Sequence, residues 1–352
     1  MLAIKKNLNN VTRTLKFEEN RLEKLRLDMN EFVGDIPQQA IQEALAGIDG
    51  DFLSTYPEYT GLYRRLGAKF SLPDGHLLLT NGSDSASKLI FDTFVSSGDK
   101  VLITNATYAM HKVYGKISGA TFEEVSYNSD FSFPLQACLD QIKPDIKLLI
   151  LVNPVNPYGT LISEEELLKI ARKTKETGTL FFLDEAYIEF SGRSFAPHIR
   201  DFNHLVITRT FSKAYGLSAV RLGYAIAQPE IIQSLRLTQP TFDVNRFAVR
   251  FAEYFLDHPQ ILEDSLQQLK EGEAFVTSQL SELGLPYHAG SANFILIKIG
   301  EKLDAVVNAL KEHGILVSSN LGLPALEGYM RITVGNRDKM LIFIHALKKV
   351  IR

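Results

Sequence analysis

Lys213 stands eight positions before Arg221 in the stretch Thr208-Arg209-Thr210-Phe211-Ser212-Lys213-Ala214-Tyr215-Gly216-Leu217-Ser218-Ala219-Val220-Arg221-Leu222-Gly223. A lysine held among small and hydroxylated residues in a sheltered loop is suited to act as an amine nucleophile. Thr210, Ser212 and Arg221 suit a dianionic phosphate, because they offer two hydroxyl donors and one forked cation. A phosphate anchor beside a reactive amine points to pyridoxal 5'-phosphate held as a Schiff base. The other reading is a surface lysine in a loop between two apolar strands, 205–207 and 222–226. The stretch by itself leaves both open.

Other residues of the right chemistry close apolar runs elsewhere. Asp184 ends the run Leu180-Phe181-Phe182-Leu183. A carboxylate at a buried strand end is costly unless paired, and a protonated pyridine nitrogen is a suitable partner. Tyr187 lies within reach of the same ring's phenolic oxygen. Asn156, in Asn153-Pro154-Val155-Asn156-Pro157-Tyr158-Gly159, offers an amide to that oxygen. Gly82-Ser83-Asp84 follows a strand and opens a helix, where backbone N–H groups form an anion site and glycine permits close approach. Tyr108 starts another helix and is placed to stack on a cofactor face. Arg331, flanked by Met330 and Ile332, calls for a carboxylate, here the substrate's. Each has a plainer alternative: an N-cap for Asp184 and for the Gly82 turn, a turn for the Asn-Pro loop, core packing for Tyr108, an interdomain salt bridge for Arg331.

These residues must be positioned by a regular framework. Strands are expected at 76–80, 101–103, 122–125, 148–152 and 180–183, with helices after the first, second and fourth. Ser163 and Glu166 form a capping box for one of them. That rhythm predicts an α/β architecture with a mostly parallel sheet flanked by helices. In such sheets ligands bind beyond the carboxyl ends of the strands, where the chemical residues fall. Before the sheet, 1–24 is polar, Leu25, Leu27 and Met29 alternate as a short strand, and Pro37 opens a helix. A loop is expected at 54–57 and a helix at 63–70. After Asn245 the chain reads as a smaller α+β unit, with helical periodicity over 247–283 broken at Pro259.

The chain has 352 residues, 45% hydrophobic and 22% charged, with a net charge of -3. That length allows two domains, and the charge balance gives no reason to expect nucleic acid or an anionic membrane. The single cysteine, Cys138, rules out an intramolecular disulfide and a thiolate metal cluster. No apolar run approaches the length of a membrane span. These features fit a cytoplasmic protein without a metal site.

Taken in order, the motifs resemble those of fold-type-I pyridoxal-phosphate aminotransferases, and within them the histidinol-phosphate aminotransferase family. The resemblance rests on Asn81-Gly82-Ser83-Asp84, on the Asn153–Gly159 loop, on Asp184-Glu185-Ala186-Tyr187, on Thr210 to Arg221 and on Tyr329-Met330-Arg331-Ile332-Thr333. It implies an arm over 1–27, a large cofactor-binding domain over 28–245 and a small domain over 246–352. It further implies a homodimer, in which Tyr56 reaches the partner's cofactor phosphate. The expected reaction exchanges an amino group between a small, phosphorylated amino donor and a keto acid such as 2-oxoglutarate. Lys213 is then the catalytic amine, and Arg331 and Asn30 meet the substrate. Two departures bear on substrate choice. Asn30-Glu31 lacks the family's proline-rich continuation, and Tyr158 adds bulk in the Asn-Pro loop. Threonine-phosphate decarboxylases share most of these motifs, so decarboxylation is the alternative reaction. The missing Gly-x-Gly-x-x-Gly counts against a dinucleotide dehydrogenase. The short, weakly basic N-terminal stretch counts against a transcription regulator.

Overall fold

A computed structural model describes Ile4, 6–11 and 20–351. The expected arm lies partly outside these residues; its described part contains 3-10 turns at Lys6–Asn10 and Arg21–Glu23. Leu25–Leu27 (β1) precedes the helices Gln38–Leu45 (α1), Gly50–Ser54 (α2) and Thr60–Phe70 (α3). An alternating series follows: Leu77–Thr80 (β2), Gly82–Phe94 (α4), Lys100–Thr104 (β3), Ala109–Ser118 (α5), Thr121–Val125 (β4), Leu135–Gln141 (α6), Ile146–Val152 (β5), Glu164–Thr177 (α7), Leu180–Asp184 (β6), Leu205–Thr210 (β7), Gly223–Ala227 (β8) and Pro229–Arg236 (α8). The remainder comprises Arg246–Asp257 (α9), Pro259–Glu282 (α10), Tyr287–Ala289 (β9), Phe294–Lys298 (β10), Leu303–Glu312 (α11), Ile315–Val317 (β11), Tyr329–Thr333 (β12) and Arg337–Val350 (α12).

Local chemistry explains several boundaries. Ser163 and Glu166 close the expected capping box on α7, and Pro259 occupies the first turn of α10, where its missing N–H costs nothing. Three helices were not expected: α2, α6 and α8. α2 has five residues and α6 seven, too few to show a helical period. Asp49 starts α2 by accepting the Phe52 N–H, and only the last residue of α2, Ser54, falls in the expected loop at 54–57.

The main sheet has seven strands in the order β2-β8-β7-β6-β5-β3-β4. Only β8 runs against its neighbours; the other pairings are parallel. Side chains alternate between two buried layers. Leu149, Leu151, Phe181, Leu183 and Ile207 face one core. Leu148, Ile150, Phe182 and Val206 face the other, beneath α4 and α5. Each such side chain contributes about 1.5–3 kcal/mol by leaving water, so the sheet is a stiff base.

β12-β10-β9 form an antiparallel sheet over a third core, and β1 lies parallel to β11 beside it. The Asn-Pro loop after β5 meets this unit backbone to backbone. Ser291 donates its N–H to the Gly159 carbonyl at 2.7 Å. A Cβ on Gly290 would sit 2.4 Å from that oxygen, so glycine is required for the approach.

Candidate active site

The ends of five strands meet at one cavity of about 620 Å³. Ser83 and Asp84 reach it after β2, Tyr108 after β3, Asn156 after β5, Asp184 and Tyr187 after β6, and Thr210, Ser212, Lys213 and Arg221 after β7. Sequence separation is erased because a parallel sheet brings its carboxyl ends to one edge.

One end of the cavity is built for an anion. Gly82 opens α4 at φ 78, and a Cβ there would lie 2.7 Å from Arg221 Nη2. Glycine therefore lets the guanidinium lie against the first turn of α4, whose N–H groups carry positive partial charge. Arg221 is itself left-handed at φ 59, a conformation that costs a non-glycine residue energy. Its Nη1 donates to the Ser218 carbonyl at 3.0 Å and to Ser212 Oγ at 3.4 Å. Thr210 Oγ1 donates to Ser212 Oγ at 2.9 Å, so that hydroxyl is held in place.

Asp184 is 4% exposed. Its Oδ1 accepts from the Ala186 N–H at 3.0 Å and the Thr208 hydroxyl at 3.3 Å. Burial pushes its pKa up to about 6, against those two hydrogen bonds and with help from the Asp84 charge. Its Oδ2 lies 3.7 Å from His111 Nε2. This contact is not an ion pair, because burial lowers the imidazole pKa to about 3 and leaves it neutral. The surrounding hydroxyls fix the ring. Ser87 Oγ donates to the Ser83 carbonyl, so it faces His111 Nε2 as an acceptor at 3.4 Å. Nε2 then carries the hydrogen, and Thr107 Oγ1, 3.1 Å from Nδ1, donates to it. The sequence reading missed His111. Its one signal was a position three residues after Tyr108, on the same face of α5.

The Tyr187 hydroxyl accepts from Asn30 Nδ2 at 3.0 Å and Asn156 Nδ2 at 3.3 Å. Arg331 is 9% exposed; its Nη1 donates to Asn156 Oδ1 at 2.6 Å and its Nη2 to the Asp28 carbonyl at 2.7 Å. Its buried Nε has no partner among the described residues, and desolvation lowers its pKa. Lys213 Nζ lies 5.5 Å from the Tyr187 ring centroid. Tyr108 lines the cavity and is 38% exposed, and burial raises its phenol pKa.

Tyr56 and Tyr158 stand apart. Tyr56 is 72% exposed and stacks on Phe242 at 4.1 Å, outside this cavity. Tyr158, expected to crowd the site, is 2% exposed and stacks on Phe131 at 4.7 Å. It does not line the cavity; its ring fills an aromatic layer behind the Asn-Pro loop.

An anion cradle, a buried carboxylate short of a cation and a primary amine around one cavity are the donor set that pyridoxal phosphate requires. Fold and donor set thus define a pyridoxal-phosphate enzyme with an α/β sheet and a smaller C-terminal unit. The chain belongs to the aminotransferase class I and II family, whose model matches residues 23–347. It is 32% identical over 338 residues to the histidinol-phosphate aminotransferase of Caldanaerobacter subterraneus subsp. tengcongensis, covering 95% of each chain. The crystal structure of the Clostridium acetobutylicum histidinol-phosphate aminotransferase superposes with a TM-score of 0.85 at 25% identity, covering 93% of this chain and 99% of that one. The Sinorhizobium meliloti histidinol-phosphate aminotransferase, solved with pyridoxal-5'-phosphate, gives 0.85 at 26% identity over 93% and 91% of the two chains. The expectations of a fold-type-I architecture, of the cofactor and of aminotransferase activity on small molecules are met. No helix among the described residues is long and apolar enough to cross a membrane.

Proposed function

We propose that this aminotransferase takes its amino group from a phosphorylated donor of the histidinol-phosphate type and passes it to 2-oxoglutarate. The observation that carries the reading is Arg331, a buried guanidinium with, among the described residues, an unpartnered Nε and no carboxylate bonded to it. A buried cation in that state calls for an anionic substrate group. The names of the curated relatives supply the rest of the substrate assignment.

Bound pyridoxal phosphate supplies an aldehyde to hold the amine and a ring to accept the electron pair released at the substrate's α-carbon. Ser212, Arg221 and the first turn of α4 hold its phosphate. Asp184 holds the proton of the pyridine nitrogen. Tyr187 and Asn156 bind the phenolic oxygen, and Tyr108 covers the ring. Lys213 Nζ takes the α-proton from the substrate and later returns it. Arg331 clamps the donor's anion, with Asn30 beside it. The working unit is a cytoplasmic homodimer, with Tyr56 supplied across the interface to the other copy's phosphate. The large domain then runs over 28–245 and the small one over 246–352.

The test is a half-reaction screen. Holoprotein is mixed with histidinol phosphate, glutamate and other amines, and loss of the bound cofactor's visible absorption is timed. Histidinol phosphate and glutamate are expected to react fastest. Carbon dioxide release with no need for a keto acid would overturn transamination. Full turnover by Lys213→Ala would overturn the role of Lys213.

A further inference from the structure

Lys213 Nζ donates to the backbone carbonyls of Met29 at 3.2 Å and Asn30 at 3.1 Å. Asn30 is 1% exposed and left-handed at φ 53, so its neighbours must hold it there. Its N–H donates to Thr333 Oγ1 at 3.0 Å, and its side chain is bound to Tyr187. Its carbonyl accepts a second donor, Asn293 Nδ2, at 3.3 Å. The same Nδ2 lies 3.5 Å from the Glu31 carbonyl, so one amide spans two successive peptide planes. Asn293 is 3% exposed and directly precedes β10, and its own carbonyl accepts the Val334 N–H at 2.8 Å. It is thus fixed to the C-terminal sheet.

We propose that Asn293 is a positioning residue for Lys213. It sets the Asn30 carbonyl, which together with the Met29 carbonyl takes the two hydrogens of the neutral amine and aims its lone pair into the cavity. This rests on Lys213 being the amine that bonds the cofactor. An amine with both N–H bonds engaged has one direction left for attack, and such orientation lowers the barrier to bond formation. When Lys213 condenses with an aldehyde, Nζ joins the carbonyl carbon. The oxygen leaves as water with the two amine hydrogens. Both backbone carbonyls then lose their donor, so the pair serves the free amine, before condensation and after release.

Two probes separate orientation from general damage. Pyridoxal phosphate condenses with Lys213; pyridoxamine phosphate carries an amine in place of the aldehyde and binds without condensing. Capture of the first by apoprotein is timed in stopped flow, and affinity for the second is measured at equilibrium. For Asn293→Leu and the nearly isosteric Asn293→Asp, capture is expected to slow about tenfold while pyridoxamine phosphate affinity stays within about twofold. Asn293→Asp carries the test if the leucine variant does not fold. Equal losses with both probes would overturn the proposal, as would unchanged capture. Undiminished condensation by Lys213→Ala would instead remove the reading beneath it, whatever the Asn293 variants show.

Discussion

Asp184 and Glu185 are adjacent, both buried, and face opposite layers of the sheet. Glu185 lies on the side of Leu183 and Ile207, and the Arg209 guanidinium donates to it through Nε at 2.8 Å. Ser194 Oγ donates to it at 2.9 Å and the Phe195 N–H at 2.7 Å. Arg209 also donates to Glu189 at 2.7 Å. Burial raises the pKa of Glu185, and Arg209 is the chief force opposing that rise. Asp184 has two neutral donors and a neutral imidazole. The first carboxylate has its counter-charge within the chain; the second is left short of one. A buried charge without a partner is costly, and at a cavity that shortfall is the signature of a ligand's charge.

The largest expected effect separates the two in opposite directions. Asp184→Asn should lower kcat/KM by about 10²–10³-fold, the loss typical when one preorganised electrostatic partner is removed. It should also make the apoprotein more stable at pH 7. The folded pKa, about 6, lies above the 3.8 of an ordinary aspartate, so the folded state is penalised when the group is ionised. The penalty is full above pH 6, shrinks as pH falls through 6 toward 4, and is absent below; it amounts to roughly 3 kcal/mol at most. Denaturant unfolding of both apoproteins across that range should show the gap closing at low pH. A variant less stable than wild type at pH 7 would make Asp184 a structural charge like Glu185.

Arg209→Met should do the reverse. Removing one partner of a buried pair leaves Glu185 uncompensated, and the expected cost is about 3–5 kcal/mol in denaturant unfolding. Adding Glu185→Gln should recover part of it, because the stranded charge is gone. If the single variant unfolds like wild type, the pair is not what satisfies Glu185.

The sequence exposed one of these carboxylates and hid the other. Asp184 was legible as a polar residue closing four apolar ones, a break visible in one dimension. Glu185 was not, because its partner Arg209 is 24 residues away and meets it only when β6 and β7 lie side by side. The same divide runs through the site. Gly82, Ser212, Lys213 and Arg221 sit in contiguous stretches whose turn chemistry and spacing carry the signal. His111 and Asn293 lie within ordinary amphipathic or apolar surroundings, and only packing gives them polar neighbours. Tyr158 misled for a related reason: membership of a functional loop says nothing about which side of that loop a ring occupies. The alternating strands were legible because period and length agree for long apolar runs. α2 and α6 are too short to have a period.

Thr208 gives the finest division of the comparison. It is the register partner of Asp184 on β7, and its hydroxyl donates to Oδ1 at 3.3 Å, within the layer that also holds Thr210. Arg209, the next residue, points to the other layer and serves Glu185, so the strand's alternation assigns one donor to each carboxylate. Thr208→Val keeps the shape and removes only the O–H. Because that bond favours the ionised carboxylate, its loss should raise the Asp184 pKa further, by less than one unit, from a bond contributing about 1 kcal/mol. Affinity for pyridoxamine phosphate should fall as pH drops through about 6, where Asp184 gains its proton and can no longer balance a protonated pyridine. In Thr208→Val the midpoint of that fall should move upward, and in Asp184→Asn only the part due to the ligand's own phosphate ionisation should remain. A midpoint unmoved by Thr208→Val would show that the Ala186 N–H alone sets the carboxylate, and that this β7 position supports the sheet without tuning the charge.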